Sequence, residues 1–148
     1  MISGDTNLFV YAMDARDPDK HAIAKSVVDA MGRTPSVVGL QVIGELQNVL
    51  RRRLKTPPAT AYRYARSLLV QFPAFAYDER AAGLAFDEAT AGRLSYWDGL
   101  LLAAADAVGV RTMISEDMGD GRVFRGLEVV NPFGPTGPSD RIRQLLGL

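Results

Sequence analysis

The feature that most constrains what this chain can fold into is the run Ser95-Tyr96-Trp97-Asp98-Gly99-Leu100-Leu101-Leu102-Ala103-Ala104-Ala105-Asp106-Ala107-Val108. Alanine and leucine are strong helix formers, Ser95 is a favoured N-cap, and Gly109 stands where a left-handed C-cap ends a helix. The predicted helix is apolar nearly all round and must be buried on most sides. Asp98 sits badly with that, because at offsets of three, four and seven it shares a face with Leu101, Leu102 and Ala105. The helix dipole favours a first-turn carboxylate by only about 0.3–1 kcal/mol. Burying an unpaired carboxylate costs several kcal/mol, so Asp98 either lies at a solvent edge or requires a cation, a proton or hydrogen-bond donors.

Around this helix the chain alternates between strand and helix patterns. Ile2 leads a short buried strand into Asp5, followed by a helical turn or two in which Asp5 or Thr6 is a candidate N-cap. A helix is predicted over Lys20–Met31, with Ile23, Val27 and Met31 at helical spacing and Gly32 as its stop. Thr34–Val38 reads as a second strand, with Gly39 as the turn into a helix from Gln41 to Arg53. That helix carries the stripe Val42, Leu46, Val49 and Leu50, with Glu45 inside it, and closes on Arg51, Arg52, Arg53 and Lys55. Further helices are predicted over Thr60–Val70 and from the Asp78 cap to Ala91, separated by a short strand at Phe75–Tyr77. Arg111–Ser115 and Leu127–Asn131 read as buried strands. Gly134–Pro138 reads as a linker, leading to a short terminal helix capped by Ser139. The predicted class is α/β, with a central, mostly parallel sheet of about five strands flanked by helices. The division expected is a domain over 1–133 and a C-terminal linker and short helix over 134–148.

Composition narrows the chemistry. The 148 residues suffice for one domain with a sizeable core. No apolar run approaches the roughly 18 residues of a membrane span, and Met1–Asp5 lacks a signal-peptide pattern. A cytoplasmic location is therefore the expectation. The chain has no cysteine, hence no disulfide, thiol nucleophile or Cys-ligated zinc. Its single histidine, His21, is expected to be exposed at a helix start. The 17 basic residues balance 17 acidic ones, which argues against nucleic-acid binding by bulk charge alone. Lysine occurs only at positions 20, 25 and 55, so the basic set is dominated by arginine, the side chain suited to bidentate phosphate contact. Genome composition bias would give the same skew.

In open parallel sheets, sites form beyond the carboxyl ends of the strands. Asp5 and Asp117 fall at such ends, and Glu45 and Asp98 lie early on helices, so four acids are expected to converge on one pocket. Packed carboxylates raise one another's pKa unless a cation joins them. Oxygen ligands without His or Cys select Mg²⁺ or Mn²⁺, ions suited to phosphoryl chemistry. A Ca²⁺ loop over Asp117–Gly121 fails, because Gly119 occupies the second ligand position. A haloacid-dehalogenase-type phosphatase would need an Asp where Asn7 stands. It would also need a late lysine, as would a phosphorelay receiver, and none follows Lys55.

Asp5-Thr6-Asn7, Glu45 ahead of Leu46-Gln47-Asn48-Val49-Leu50-Arg51-Arg52, Tyr96-Trp97-Asp98 opening an Ala/Leu helix, and Ser115-Glu116-Asp117-Met118 together resemble the PIN-domain nucleases. More narrowly, they resemble VapC toxins of bacterial VapBC toxin–antitoxin modules. Val129-Val130-Asn131-Pro132-Phe133 is similar to the closing strand of many such toxins, and the likeness spans about residues 1–133. The resemblance implies a PIN-like fold and a Mg²⁺-dependent endoribonuclease (Mn²⁺ able to substitute) with RNA as substrate. It also implies a homodimeric core and inhibition by a VapB-like antitoxin. Asp5, Glu45, Asp98 and Asp117 would form the acidic quartet, with Asp5 and Asp98 as metal ligands and the Thr6 hydroxyl orienting Asp5. Glu116 and Asp120 are alternate fourth acids, and Gly39 stands where the family often carries Ser. Arg51, Arg52, Arg53, Arg93, Arg122 and Arg125 would be candidates for a rim holding RNA phosphates. The rival reading is a catalytically decayed PIN-like protein–protein interaction domain.

Overall fold

Gly99 through Ala105 are all buried, and the helix they form is capped by Ser95 Oγ, which accepts the Asp98 N–H. Gly109, at φ +86°, ends it. The computed structural model describes residues 1–148 and builds the rest around this helix. Its elements are β1 (Ile2–Gly4), α1 (Thr6–Met13), α2 (Pro18–Met31), β2 (Val38–Gly39), α3 (Leu40–Arg52), α4 (Pro58–Gln71), β3 (Ala74–Phe75) and α5 (Glu79–Thr90). The Ala/Leu helix α6 (Tyr96–Ala107) follows, then β4 (Thr112–Ile114), β5 (Val123–Phe124), β6 (Leu127–Val130), β7 (Phe133–Gly134), β8 (Gly137–Pro138) and α7 (Asp140–Leu146).

The main sheet has four strands in the order β1-β4-β6-β5. The β1–β4 and β4–β6 pairs are parallel, and β5 runs antiparallel to β6. β2 and β3 form a separate parallel pair. It abuts β1 through the Ile2–Ser36 bridge, with Val37 N–H donating to the Ile2 carbonyl at 2.9 Å. Of the predicted strand Thr34–Val38, therefore, only the end is regular pairing. One cluster of apolar residues joins the sheet to the helices, from Leu8 and Phe9 of α1 through Leu46 and Leu50 of α3 to Leu100 and Leu102 of α6.

Two stretches depart from the sequence reading. β5 is an unforeseen edge strand, joined to β6 by the two-residue turn Arg125-Gly126, both at positive φ (50° and 91°). The stretch read as a linker, 134–138, is a tight antiparallel hairpin pairing Phe133 with Pro138 and Gly134 with Gly137. Proline survives there because the pair is isolated and short, with no second neighbour to demand its missing donor. The hairpin turns the chain back so that α7 packs near α2, with Ile142 at 0% exposure inside the common core. His21 is half-buried rather than exposed, its Nδ1 2.8 Å from the Tyr11 carbonyl oxygen.

Because Ile142 belongs to the one core, Ile142→Ala is expected to cost about 2–4 kcal/mol. Urea unfolding should remain a single transition; a stability unchanged from wild type would show that α7 is only loosely docked.

Candidate functional site

The parallel register sets up the site. Gly4 pairs with Ile114, and Asp5 N–H donates to the Ile114 carbonyl, so Asp5 and Ser115 leave the sheet side by side. Asp5 is then the N-cap of α1, accepting the Leu8 N–H at 3.1 Å on Oδ1, while Ser115 Oγ donates to Oδ2. Asp5 is only 6% exposed. Burial pushes its pKa up from 3.8 to about 6, the two hydrogen bonds offset part of that rise, and the charges of Asp117 and Glu116 add to it.

Asp5, Thr6, Asn7, Gln41, Glu45, Trp97, Asp98 and Asp117 line one open groove of about 190 Å³, with Val49, Leu101 and Met118 as its apolar parts. All four predicted acids therefore face a common space. Asp98 is half-buried; desolvation raises its carboxyl pKa and the Ser95 hydrogen bond lowers it, with the charges of Glu45 and Asp117 raising it further. Glu45 is exposed, not enclosed in its helix stripe. The buried face of α3 is Val42, Ile43, Leu46 and Leu50, and Glu45 lies more than a quarter-turn off its centre.

The hydrogen bonds differ from those the resemblance implied. Thr6 Oγ1 donates to Glu45 Oε2 at 2.7 Å and not to Asp5, because one residue along a helix turns the side chain by about 100°. Ser115 takes the role of orienting Asp5 and also accepts the Asp117 N–H at 3.2 Å. Asn7 Nδ2 donates to Asp117 Oδ2, and Gln41 Nε2 donates to Glu45 Oε1 and to the Trp97 carbonyl, both at 3.1 Å. Gln41 had a sequence signal, its position four residues before Glu45 on one helix face. Ser115 had none without the register.

Of the three clustered acids after β4, only Asp117 lines the groove. Glu116 is tied to Lys20 Nζ at 2.6 Å, and that ammonium also reaches the Tyr11 hydroxyl and lies over the Tyr11 and Phe133 rings. Asp120 accepts the Asn131 N–H at 2.8 Å, fixing the turn before β5. At Gly39 a Cβ would approach Leu101 Cδ1 to 3.0 Å and a Phe75 ring atom to 3.3 Å, so apolar side chains already fill the space a Ser would enter.

The arginines divide into two groups. Arg51, Arg52 and Arg53 are exposed at the end of α3, with Arg51 stacked over Tyr62. Arg52 is seven residues beyond Glu45, about 10 Å along the helix. Arg93, Arg122 and Arg125 gather at a different cavity beside β5.

The groove suits a hard cation in donor chemistry. Every charged group lining it is a carboxylate, no lysine or arginine is among them, and the Oε1 of Gln41 is buried without a hydrogen-bond partner. No three acidic side chains are gathered tightly enough to enclose one ion. An ion held by only one or two of these carboxylates would have to keep several waters, as Mg²⁺ commonly does.

No protein-family model and no curated protein matches the sequence. Solved structures do match in fold. VapC20 of Mycobacterium tuberculosis, a sarcin-ricin loop cleaving toxin, superposes with a TM-score of 0.64 at 19% identity, over 76% of this chain and 87% of that one. FitAcB of Neisseria gonorrhoeae gives 0.68 at 21% identity, over 89% and 98%. A chain of a toxin–antitoxin complex from Klebsiella pneumoniae gives 0.67 at 18% identity, over 90% and 98%. The fold is PIN-like.

The buried Asp5 makes stability depend on pH. Its folded-state pKa lies above the ordinary value, so the folded state holds the proton more tightly. That contribution is complete below about pH 4 and is lost as pH rises through about 6. In chelator, Asp5→Asn should therefore gain on wild type by up to about 3 kcal/mol between pH 4 and 7 in urea unfolding. A difference constant across that range would contradict the raised pKa.

Proposed function

We propose that this PIN-like chain is a Mg²⁺- or Mn²⁺-dependent endoribonuclease, the toxin of a type II toxin–antitoxin module. The observation that carries the reading is the convergence of Asp5, Glu45, Asp98 and Asp117 on one groove at the carboxyl ends of β1 and β4. The superposition on VapC20, itself a toxin that cleaves the sarcin-ricin loop, supports it.

Asp5 and Asp98, the two groove acids withdrawn from water, are the residues to hold the ion directly. When bound, the ion supplies charge neutralisation at the scissile phosphate and lowers the pKa of an attacking water. Ser115 and the Leu8 N–H fix the Asp5 carboxylate, so it meets a cation without reorganising. Glu45 and Asp117, exposed and held by Thr6, Gln41 and Asn7, face the open side, where they would accept the proton of a water. The unpartnered Gln41 Oε1 is a further acceptor for a bound water. A decayed interaction domain would have no need to keep four carboxylates in mutual repulsion.

The same reading assigns partners. An apolar groove on α3 and α4 is lined by Ile43, Tyr62, Ala65 and Leu69, and Leu40 and Val70 of the same two helices are also exposed. Such a surface is suited to a second copy or a VapB-like antitoxin, and the likeness in fold to a chain of the Klebsiella pneumoniae toxin–antitoxin complex supports an antitoxin.

Purified Asp98→Asn protein should lose Mg²⁺- or Mn²⁺-dependent RNA cleavage by about a hundredfold or more while keeping its fold, since even residues that only support metal ligands matter tenfold to a hundredfold. Undiminished cleavage would remove Asp98 from the site. Mn²⁺ at a hundredfold excess over its dissociation constant should stabilise wild type by about 2.7 kcal/mol. The gain should shrink in Asp5→Asn and Asp98→Asn, and equal gains in all three proteins would refute a shared metal pocket.

A further inference from the structure

Trp97 is the only tryptophan of the chain, and it is 57% exposed. It stands in the first turn of α6, immediately before Asp98, and lines the acidic groove. Two other rings adjoin it. Tyr96 meets Trp97 edge-on, with centroids 5.0 Å apart and ring planes at 74°. Phe86 of α5 stacks on Tyr96 at 5.2 Å and 25°. Tyr96 packs against the common core, which accounts for it as a contact between α5 and α6. Core packing does not account for Trp97, nor for Phe86, which is 60% exposed.

The backbone that carries the indole is held from two sides, which is a second, independent observation. The Ser95 hydroxyl caps α6 by accepting the Asp98 N–H. The Trp97 carbonyl accepts from Gln41 Nε2 at 3.1 Å, and the same amide donates to Glu45. Trp97 is thereby tied to groove acids on both α3 and α6. A tryptophan has only two side-chain torsions, so a large flat contact made by one so placed costs little conformational entropy. Most of the remaining lining is polar, including Thr6, Asn7, Gln41 and the four acids. An apolar plane set among carboxylates and amides suits a flat ring with polar edges. Aliphatic side chains of a protein partner are better matched by the separate groove on α3 and α4.

We infer that Trp97 is a stacking platform for an unpaired base of the substrate, the base whose adjoining phosphodiester lies over Asp5 and Asp98. The inference rests on the ribonuclease reading and deepens it. One sugar joins a base to its phosphate, so a base on the indole brings that phosphate to the neighbouring acids. A base inside a duplex is covered on both faces and has none to offer, so the groove selects a nucleotide out of the helix. Every base has a π-face, and Trp97 therefore supplies affinity and placement without sequence readout. A neutral ring also grips the substrate without competing with a cation for the carboxylates, as a lysine or arginine in the groove would.

The test uses Trp97→Leu, which keeps an apolar side chain without an aromatic face, and Trp97→Phe, which keeps the face. Binding of a fluorescein-labelled single-stranded oligoadenylate is measured with Mg²⁺ across a salt series, in the Asp98→Asn background so that the probe is not consumed. Unlabelled oligoadenylate should quench the single tryptophan of the Asp98→Asn parent, and an RNA duplex of the same length should not. Trp97→Leu should bind about tenfold more weakly than the parent or worse, and Trp97→Phe within about threefold of it. The salt slope should match the parent in both, because a stacked base releases no counterions. With Asp98 in place, Trp97→Leu should keep the wild-type stabilisation by Mn²⁺ and lose RNA cleavage mainly through a raised KM. Loss of that stabilisation would make Trp97 a structural support of the metal pocket and overturn the platform. Absence of quenching, parental affinity in Trp97→Leu, or equal losses in the two variants overturns the platform while the nuclease reading stands, and a Trp97 that serves a protein partner gives the first two results. A wild type that neither binds the probe nor cleaves RNA with Mn²⁺ overturns the nuclease reading and the platform together.

Discussion

A carboxylate with almost no exposure, set where β1 becomes α1, constrains everything near it. Asp5 is tolerated there because one oxygen caps the helix and the other accepts from Ser115. Those bonds soften the cost of burial without abolishing it, as the raised pKa records. Removing the donors would leave the group to protonate or the helix start to fray. The parallel pairing of β1 with β4 is what brings Ser115 to it. The central strands and the site are thus consequences of one geometric requirement.

The remaining acids are held by a graded scheme. Asp98 is withdrawn into the start of α6, while Glu45 and Asp117 stay in water, each steadied by a neutral hydroxyl or amide. Neutral donors fix orientation without cancelling charge. The one nearby ammonium, Lys20, is occupied by Glu116 and by the Tyr11 and Phe133 rings. Charge of one sign is therefore conserved in the groove, and compensation is kept outside it. Of the arginines next door, Arg93 is paired with Glu88, while Arg122 is close enough for its charge to favour the Asp98 carboxylate.

Much of this was legible in the sequence, and the exceptions have physical causes. Asp98 stood out as a charge on an apolar helix face, and Asp5 and Asp117 as acids at strand ends. The orienting partner of Asp5 was misread as Thr6, since choosing Ser115 requires knowing which strands are neighbours. Glu45 lay too near the margin of its stripe for periodicity to settle its exposure. β5 was hidden because Arg125-Gly126 lacks the asparagine that signals a two-residue turn. The Gly- and Pro-rich stretch after Phe133 looked like a linker because composition does not distinguish a tight hairpin from an open chain.

The contacts that complete the groove join Asp5 to Ser115 and Asn7 to Asp117, each across 110 positions of sequence. During synthesis the first of each pair waits while 110 further residues are made. A nascent chain or a fragment ending before β4 carries Asp5, Glu45 and Asp98 but lacks Ser115, which orients the first of them, and Asp117, which closes the groove. Whatever reaction the groove performs is withheld until β4 and the residues that follow it have been made and have paired with β1.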